Sequence, residues 1–501
     1  MRLNDLIKDI PVKSIKNGIK EDPEITALVY DSRKIVEGCL FVCIKGIRFD
    51  GHDKIAEASD KKAAAVLCEY IPDGMDTGDM NVVLTEDTRY ALGVASAAWF
   101  GHPAEKLKTI GITGTKGKTT SAYMVKNILE NAGIKTGLIG TIEIDTGKRH
   151  ISSVNTTPES YAVQEYLAEM AENGCSAAVM EVSSQGLMQH RTAGFVFDLG
   201  IFTNLSPDHV GPGEHKDFED YKNCKKKLFK SCKTGIFNRD DAYYKEMIKD
   251  ASCLIETFGR GDMEGGYRGS DMAAKDMVFT EDAGALGVRF KISGKKTLDA
   301  YVDLPGSFSV YNALAAVSVC SHFGVSDEAI LKALREVKVR GRIEMLPVSD
   351  DYTFMIDYAH NAMALESLLR TLKEYEPGRL VTVFGCGGNR SRDRRFDMGE
   401  VSGRLSDLTV ITSDNPRDEE PLDIIKDIET GIKKTDGEYV TVPDRKDAIA
   451  WSIDHARKGD VIVLAGKGHE DYQEIKGVKY PMDERELVRE VLKERGRAVR
   501  F

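Results

Sequence analysis

Long apolar segments are absent from this sequence of 501 residues. No stretch approaches the roughly 18 apolar residues that cross a membrane, and residues 1–10 lack the uninterrupted apolar centre of a signal peptide. Cysteine is sparse, with nine residues and no C-x-x-C pair, which argues against a zinc or disulfide framework. These absences predict a cytoplasmic protein without membrane insertion, whose cysteines are reduced core residues.

An excess of positive charge is also missing. Lys and Arg number 69 against 80 Asp and Glu, so the formal net charge is −11 at pH 7. This balance argues against a nucleic-acid partner or an anionic membrane surface. It does not exclude local basic sites that bind anionic small molecules. The hydrophobic content of 42% with 30% charged residues is typical of a globular protein, and the length predicts about three domains.

A glycine-rich segment, GITGTKGKTT at residues 111–120, lies between an apolar run and a helical pattern. A strand that feeds such a turn into a helix points backbone N–H groups and the positive end of the helix dipole at one spot, which suits a phosphate. Lys118 can reach the β- and γ-phosphates, and the Thr119 hydroxyl can join a magnesium shell. Because the glycine spacing is two residues shorter than in the usual P-loop, a plain turn with a surface lysine is the alternative.

A second nucleotide-binding signal follows in the same succession of strands and helices. The apolar run that starts at Ser176 ends at Glu181, so the predicted strand delivers a carboxylate, a hard oxygen ligand for Mg²⁺, beside the glycine-rich turn. A third predicted strand, residues 199–202, leads into a polar segment that ends at His209. The lysine-rich helix at 221–229 is, by composition alone, a solvated basic face.

The last third of the chain repeats an apolar strand followed by a polar loop, which indicates a doubly wound parallel sheet. Ligands bind beyond the carboxyl ends of such strands. Polar residues at these ends include Arg390, Asp414, Arg417 and Glu470. Residues 1–106 mix short strands and helices. The predicted architecture is α/β with three domains, at residues 1–106, 107–337 and 338–501.

These motifs together resemble those of the Mur ligases, the ATP-dependent amide synthetases of peptidoglycan assembly. The resemblance implies an N-terminal domain for the UDP end of the substrate, a central P-loop ATPase domain, and a C-terminal Rossmann-like domain that closes over the site. It rests on Asp31-Ser-Arg33, Gly114-Thr-Lys-Gly-Lys-Thr-Thr120, Asn155-Thr-Thr-Pro158, Glu181-Val-Ser-Ser184, Thr203-Asn-Leu-Ser206 with Asp208-His209, Asp357-Tyr-Ala-His360, Asp414-Asn-Pro-Arg417 and Gly466-Lys-Gly-His-Glu470.

The resemblance further implies a monomer that joins meso-2,6-diaminopimelate to UDP-N-acetylmuramoyl-L-alanyl-D-glutamate and releases ADP and phosphate. The dipeptide carboxylate attacks the γ-phosphate of ATP, and the amino acid attacks the resulting acyl phosphate. The implied ATP-binding residues are Gly114, Thr115, Lys116, Gly117, Lys118, Thr119, Thr120, Asn312 and Arg342. The implied UDP-substrate residues are Ser32, Asn155, Thr156, Thr157, Ser183, Gln189 and Arg191.

Within the lysine-rich helix the resemblance singles out Lys225 as a carbamylated residue. Addition of CO₂ turns an ammonium, which cannot bind Mg²⁺, into an anionic oxygen ligand. The implied magnesium ligands are Thr119, Glu181, His209 and the carbamylated Lys225. The implied catalytic residues are Lys118, Glu181, His209 and Lys225.

The amino-acid site that the resemblance implies consists of Arg390, Asp414, Asn415, Pro416, Arg417, Gly466 and Glu470. A guanidinium binds a carboxylate through two hydrogen bonds, and diaminopimelate carries a second carboxylate that lysine lacks. Arg417 with Arg390 therefore favours diaminopimelate, while Asp414 and Glu470 can receive its distal ammonium.

Four alternatives stay open. A related ligase could add L-lysine or another amino acid, and a folylpolyglutamate-synthetase-like ligase would not need the Asp31-Ser-Arg33 segment. A nucleotide-binding switch for guanine would be expected to carry Asn-Lys-x-Asp, which this sequence lacks. An inactive relative should have lost one of the four implied catalytic residues, and all four are present.

Overall fold

The computed structural model describes residues 1–16, 22–46, 49–208, 211, 214–261, 270–282 and 285–501. The chain divides into two compact units, one of Met1–Phe258 with Ala315–Val325 and the other of Gly259–Leu314 with Ser326–Phe501. Parallel sheets flanked by helices occur in both units, which confirms the predicted α/β class. The predicted domain boundaries near residues 107 and 338 stay a prediction.

The first unit opens with a five-stranded sheet in the order β1-β5-β4-β3-β2, in which only the pairing of β1 is antiparallel. Its strands are β1 (Val12–Lys16), β2 (Leu28–Val29), β3 (Leu40–Val42), β4 (Ala65–Cys68) and β5 (Asn81–Thr85). Its helices are α1 (Leu3–Ile7), α2 (Ile55–Asp60) and α3 (Thr88–Trp99), with 3₁₀ turns at Ser32–Lys34, Gly51–Lys54 and Pro103–Lys106.

The larger sheet of the first unit contains the glycine-rich segment. Its strands are β6 (Lys108–Thr113), β7 (Thr136–Ile139), β8 (Glu143–Asp145), β9 (His150–Ser152), β10 (Ala177–Glu181), β11 (Phe197–Phe202), β12 (Cys232–Asn238) and β13 (Leu254–Arg260). Its helices are α4 (Lys118–Asn131), α5 (Ser160–Glu172), α6 (Ser184–Met188), α7 (Phe218–Lys226) and α8 (Tyr244–Ile248), with a 3₁₀ turn at Lys227–Lys230. The strand order is β13-β12-β11-β6-β10-β7-β8-β9.

The central strands of this sheet explain the continuous apolar runs in the sequence. Ile110 and Ile112 of β6, Val179 of β10 and Ile201 of β11 are fully buried. Strands that are covered on both faces need apolar side chains at every position. The parallel pairing of β6 with β10 and β11 therefore brings the carboxyl ends of three predicted strands to one edge.

The second unit contains an antiparallel meander and a parallel sheet. The meander is formed by β14 (Met272–Asp282), β15 (Ala285–Gly294) and β16 (Leu298–Val302). It is followed by α9 (Ser307–Ser321), of which residues 315–321 belong to the first unit, and by α10 (Asp327–Glu336). The other strands are β17 (Glu344–Leu346), β18 (Thr353–Asp357), β19 (Arg379–Phe384), β20 (Leu408–Ile411), β21 (Tyr439–Thr441), β22 (Asp460–Ala465), β23 (Tyr472–Ile475) and β24 (Val478–Pro481). The other helices are α11 (Ala362–Lys373), α12 (Asp393–Leu405), α13 (Pro421–Ile432), α14 (Arg445–Asp454) and α15 (Glu484–Glu494).

The parallel sheet of the second unit has the order β17-β18-β22-β19-β20-β21, with β17 as an antiparallel edge. One apolar cluster joins the sheet to α11, α12 and α13, and another joins it to α14 and α15. Helices therefore cover both faces, and the predicted doubly wound sheet is confirmed. None of the described helices has the length and apolar content that a membrane crossing requires.

Helix α9 begins at Ser307, so Asn312 lies inside a helix. One prediction about the helices needs correction. The solvated basic face predicted for the lysine-rich helix is wrong, because Lys222 is only 6% exposed and Lys225 only 1%. Burial depends on what α7 packs against, and composition does not contain that information.

Candidate active site

The glycine-rich segment has the predicted strand–turn–helix geometry. Strand β6 ends at Thr113 and helix α4 begins at Lys118, with Gly117 as its N-cap at φ +84°. Gly114 has φ +151°, and a Cβ at this position would lie 1.9 Å from the Thr203 hydroxyl oxygen. Both glycines are therefore required by the backbone, as a phosphate-binding turn at a helix N-terminus needs.

The turn is held from outside by the segment that follows β11. The Thr203 hydroxyl and the Asn204 side-chain amide donate to the Lys116 carbonyl oxygen at 2.7 and 2.9 Å. In return, the Lys116 N–H donates to Asn204 Oδ1 at 2.9 Å, and the Thr115 N–H donates to the Asn204 carbonyl at 2.9 Å. Thr203 and Asn204 thus fix the turn, a role that sequence reasoning did not assign to them.

Two lysines converge on the same carbonyl of the turn. Lys118 Nζ donates to the Gly114 carbonyl at 2.9 Å and to the Thr115 carbonyl at 3.0 Å, and Lys225 Nζ donates to the Gly114 carbonyl at 2.9 Å. Burial and then the positive charge of Lys118 lower the pKa of Lys225 well below its usual value. The site therefore favours an uncharged amine at Lys225.

Glu181 connects the turn to a neighbouring loop. It is fully buried at the end of β10, opposite Ile112 of β6. Its Oε2 accepts hydrogen bonds from the Thr119 hydroxyl at 2.9 Å and the Thr141 hydroxyl at 3.0 Å, and its Oε1 accepts from the Thr141 N–H at 2.8 Å. Thr120 follows in the first turn of α4. The hard oxygens of Glu181 and Thr119 are a donor set that fits Mg²⁺, whereas His209 lies outside the described residues.

Most of the predicted UDP-substrate residues assemble around the carboxyl end of β10. The Thr157 hydroxyl donates to the Glu181 carbonyl at 3.0 Å and accepts from the Ser183 N–H at 2.9 Å. Arg191 Nη1 donates to the Thr157 carbonyl at 2.8 Å, and the Thr156 and Thr141 hydroxyls are 3.1 Å apart. The structure therefore brings Thr156, Thr157, Ser183 and Arg191 to one place.

The remaining predicted UDP-substrate residues are placed by their local structure. Gln189 is the C-cap of α6, and Asn155 lies in the loop before α5. Ser32 begins a 3₁₀ turn between β2 and β3, capped by the Asp31 side chain. The described contacts do not join Ser32 to the cluster around Thr157.

A buried histidine near this cluster was not predicted. His215 is fully buried, with Nδ1 2.9 Å from Asp220 Oδ2 and Nε2 2.9 Å from the Ser184 hydroxyl. It therefore connects α7, which carries Lys225, to the first residue of α6. No spacing pattern in the sequence distinguishes this histidine from a surface residue.

The predicted amino-acid residues lie in the second unit. Asp414, Asn415, Pro416 and Arg417 follow β20, and Gly466 follows β22. Asn415 Nδ2 donates to Glu470 Oε2 at 2.9 Å. Gly466 has φ +112°, and a Cβ there would lie 3.0 Å from Asp414 Oδ2. Asp414, Asn415, Gly466 and Glu470 are therefore neighbours.

The two predicted arginines differ in their surroundings. Arg417, at φ +53°, donates from Nε to Glu474 Oε2 at 3.1 Å and from Nη1 to the Gly388 carbonyl at 2.7 Å. Arg390 is exposed, and the described contacts do not link it to Arg417. The structure thus holds Arg417 at the site and does not place Arg390 in contact with it.

Two of the predicted ATP-binding residues, Asn312 and Arg342, lie in the second unit. The Arg342 guanidinium lies 4.9 Å from the centre of the Tyr358 ring. Asn312 is buried in α9 with 4% exposure.

Three protein-family models match the chain in consecutive segments. They are described as the Mur ligase family catalytic domain at residues 24–100, the Mur ligase middle domain at residues 112–320, and the Mur ligase glutamate ligase domain at residues 341–468. Together they span most of the sequence.

Individual relatives match over almost the whole chain. The UDP-N-acetylmuramoyl-L-alanyl-D-glutamate–2,6-diaminopimelate ligase of Caldanaerobacter subterraneus subsp. tengcongensis is 42% identical over 498 residues, which cover 99% of each chain. A solved structure of a ligase with the same name has a TM-score of 0.71 and 27% identity, covering 99% of this chain and 100% of that chain. The structure of MurF ligase from Thermotoga maritima in complex with ADP has a TM-score of 0.57 and 20% identity, over 88% of this chain and 93% of that chain. The chain belongs to the Mur ligase family.

Proposed function

We propose that this chain is an ATP-dependent amide ligase that adds meso-2,6-diaminopimelate to UDP-N-acetylmuramoyl-L-alanyl-D-glutamate during peptidoglycan precursor synthesis. The observation that carries the proposal is the double contact of Glu181. Its carboxylate accepts from Thr119 of the phosphate-binding turn, while its carbonyl accepts from Thr157 of the predicted UDP-substrate loop. A nucleotide and the dipeptide would therefore meet at one residue.

The reaction begins with the carboxylate of the D-glutamate end. Its oxygen forms a bond to the γ-phosphorus of ATP while the bond from that phosphorus to the bridging oxygen breaks, and ADP leaves. Lys118, at the start of α4, neutralises the charge that develops on the phosphoryl oxygens. The amino group of the incoming amino acid then attacks the acyl carbon, loses a proton, and phosphate departs as the amide forms.

Magnesium would be held by Thr119, Glu181 and, outside the described residues, His209, with a carbamate on Lys225 as the fourth ligand. The ion would supply charge neutralisation for the phosphates. The environment of Lys225 supports the carbamate, because only an uncharged amine adds CO₂ and the pKa of Lys225 is held well below its usual value by burial.

The second unit would bind the amino acid. Arg417 offers a guanidinium for the second carboxylate, and Asp414 and Glu470 offer carboxylate oxygens for the distal ammonium. Burial alone would raise the pKa of Glu470, but the charge and the hydrogen bond of Lys467 and the hydrogen bond from Asn415 hold it below its usual value. An ionised Glu470 is the form that accepts an ammonium.

The choice of diaminopimelate over lysine rests on Arg417 and on the activity named for the 42% identical relative. A folylpolyglutamate-synthetase-like activity is less well supported, because the match to that relative includes the N-terminal sheet with Asp31-Ser-Arg33. We further propose a monomeric, cytoplasmic enzyme with domains at residues 1–106, 107–337 and 338–501. Three consecutive family models support this division.

The test is phosphate release from ATP in the presence of the UDP-muramoyl dipeptide, with meso-diaminopimelate or L-lysine, in wild type and in Arg417→Ala. We expect release that depends on diaminopimelate and falls at least about 100-fold in kcat/KM in the variant, because a charge-assisted bidentate contact is lost. Arg370→Ala, which removes an exposed arginine of the same unit, is the matched control. Preference for lysine, or no response to either amino acid, would contradict the proposal.

A further inference from the structure

Lys467, which follows Gly466 at the end of β22, is the centre of a buried polar network in the second unit. Its side chain is fully buried. Nζ donates to Asn415 Oδ1 at 2.9 Å, to Glu470 Oε2 at 2.8 Å and to the Tyr472 carbonyl. An ammonium has three N–H donors, so this set of acceptors uses all of them.

The network restricts both side chains that flank the lysine. Glu470 Oε2 accepts from Lys467 and from Asn415 Nδ2. Within the described part of the chain, Glu470 Oε1 has only a long contact of 3.5 Å from the Tyr358 hydroxyl. Asn415 Oδ1 accepts from Lys467 and from the Glu474 N–H at 2.9 Å. Glu470 therefore has one oxygen locked inside the protein and the other available to a ligand.

The charges of the network are also arranged around Lys467. Its Nζ lies 3.9 Å from Asp414 Oδ1 in addition to its contact with Glu470. Two carboxylates with one ammonium between them leave one negative charge. Removing water from an ammonium and its carboxylate partners is costly, and a set of apolar side chains in place of all of them would fill the same space without that cost. The retained charge therefore points to a role in binding rather than in packing.

We infer that Lys467 is a positioning residue of the amino-acid site. It orients Asn415 and Glu470 and balances one of the two carboxylates, so that Glu470 Oε1 and Asp414 present a single negative charge to the distal ammonium of the amino acid. Lys467 itself does not contact the amino acid. This inference rests on the proposed function, since it concerns the same substrate.

The first variant is Lys467→Met, which keeps the length of the side chain and removes the ammonium. We expect KM for diaminopimelate to rise about tenfold or more, with KM for ATP and for the UDP-muramoyl dipeptide changed less than about twofold. Where lysine is used as a substrate, its KM should rise by a similar factor, because lysine carries the same distal ammonium and lacks only the second carboxylate, which is assigned to Arg417. Lys433→Met, at an exposed lysine of α13's C-cap, is the matched control.

Lys467→Arg tests the geometry if Lys467→Met does not fold. It keeps the charge, but a planar guanidinium cannot reproduce three hydrogen bonds from one nitrogen, and we expect KM for diaminopimelate to rise about fivefold or more. A further comparison uses Glu470→Gln with and without Lys467→Met. If Lys467 acts through Glu470, the double variant has the KM of Glu470→Gln within about twofold.

Each outcome bears on one claim. An unchanged KM for diaminopimelate in folded Lys467→Met or Lys467→Arg would overturn the role of Lys467, as would equal losses in the KM values of all three substrates. Multiplied effects in the double variant would show that Lys467 does not act through Glu470. Wild-type protein without diaminopimelate-dependent phosphate release would instead overturn the proposed function, independently of any variant.

Discussion

Two buried lysines, Lys225 in the first unit and Lys467 in the second, stand in opposite electrostatic surroundings. Both are 1% exposed or less. Lys225 donates a hydrogen bond to the Gly114 carbonyl, with the positive charge of Lys118 nearby, whereas Lys467 contacts Glu470 directly and lies 3.9 Å from Asp414.

The difference shows that burial alone does not decide what a lysine does. At Lys225, burial and the positive charge of Lys118 outweigh the opposing charge of Asp208, so the pKa of the lysine is lowered and a reactive amine is favoured. With a carboxylate contact, an ammonium becomes a fixed donor that orders its neighbours. The same residue type is thereby suited to covalent modification in one unit and to positioning in the other.

The largest expected effect is on turnover. Lys225→Met removes the amine that is proposed to carry the carbamate, so kcat should fall by about 100- to 1000-fold, while KM for diaminopimelate stays within about threefold of the wild-type value. Steady-state phosphate release measures both constants. Lys227→Ala, at an exposed position of the same segment, should behave as wild type. A Lys225→Met variant with wild-type kcat would contradict the role proposed for Lys225 and, with it, the contrast between the two lysines.

A smaller effect is expected on the stability of the second unit. Lys467→Met leaves Glu470 partly buried without its ammonium, which should lower the free energy of unfolding by about 3 kcal/mol. Thermal or urea unfolding of the full chain measures the change. Adding Glu470→Gln should recover part of the loss because the unpaired charge is removed. Unchanged stability in the single variant would mean that the ion pair contributes nothing to the fold.

The smallest expected effect is also on the free energy of unfolding, but it is an increase, caused by a substitution of Lys225. The pKa of Lys225 is lower in the folded chain than in the unfolded chain, whose value is near 10.4. The unfolded chain therefore keeps its proton at pH values where the folded chain has lost it, and this lysine costs stability that is recovered as the pH rises from the folded pKa to the unfolded pKa. Lys225→Met should raise the free energy of unfolding at pH 7 by about 1 to 2 kcal/mol, in the absence of nucleotide, Mg²⁺ and CO₂.

The pH dependence provides the check on that last prediction. The stabilising effect of Lys225→Met should shrink between pH 8 and pH 10, as the unfolded chain loses the extra proton. Unfolding by urea at several pH values measures this slope. A difference between variant and wild type that did not vary with pH would indicate that packing, and not the lowered pKa, is responsible.

The glycine-rich turn and the position of Glu181 could be predicted from sequence because both depend on local order along the chain. Glycines at 114 and 117 are needed by the backbone angles of the turn itself, and Glu181 ends a strand whose apolar run is continuous. The parallel pairing of that strand with β6 then follows from the alternation of strands and helices.

Other features could not be predicted because they depend on contacts between distant segments. His215 acquires its role from Ser184, which is 31 residues away, and Lys467 acquires its role from Asn415, which is 52 residues away. Arg390 and Arg417 are both arginines in polar loops after strands, yet only Arg417 meets Glu474 and the Gly388 carbonyl. In all of these cases the sequence offers only the residue type and its spacing, and neither of these identifies the distant partner that each side chain meets.

The sequence by itself determined the order of strands, turns and helices, the positions where glycine is required, and the charged residues available at strand ends. Only the tertiary structure decided which of those charged residues lose their water and which partner each one meets. The physical reason is that the pKa and the orientation of a side chain depend on the dielectric surroundings and charges within a few ångströms. For Lys225 and Lys467, those surroundings are built from segments that are far apart in the chain.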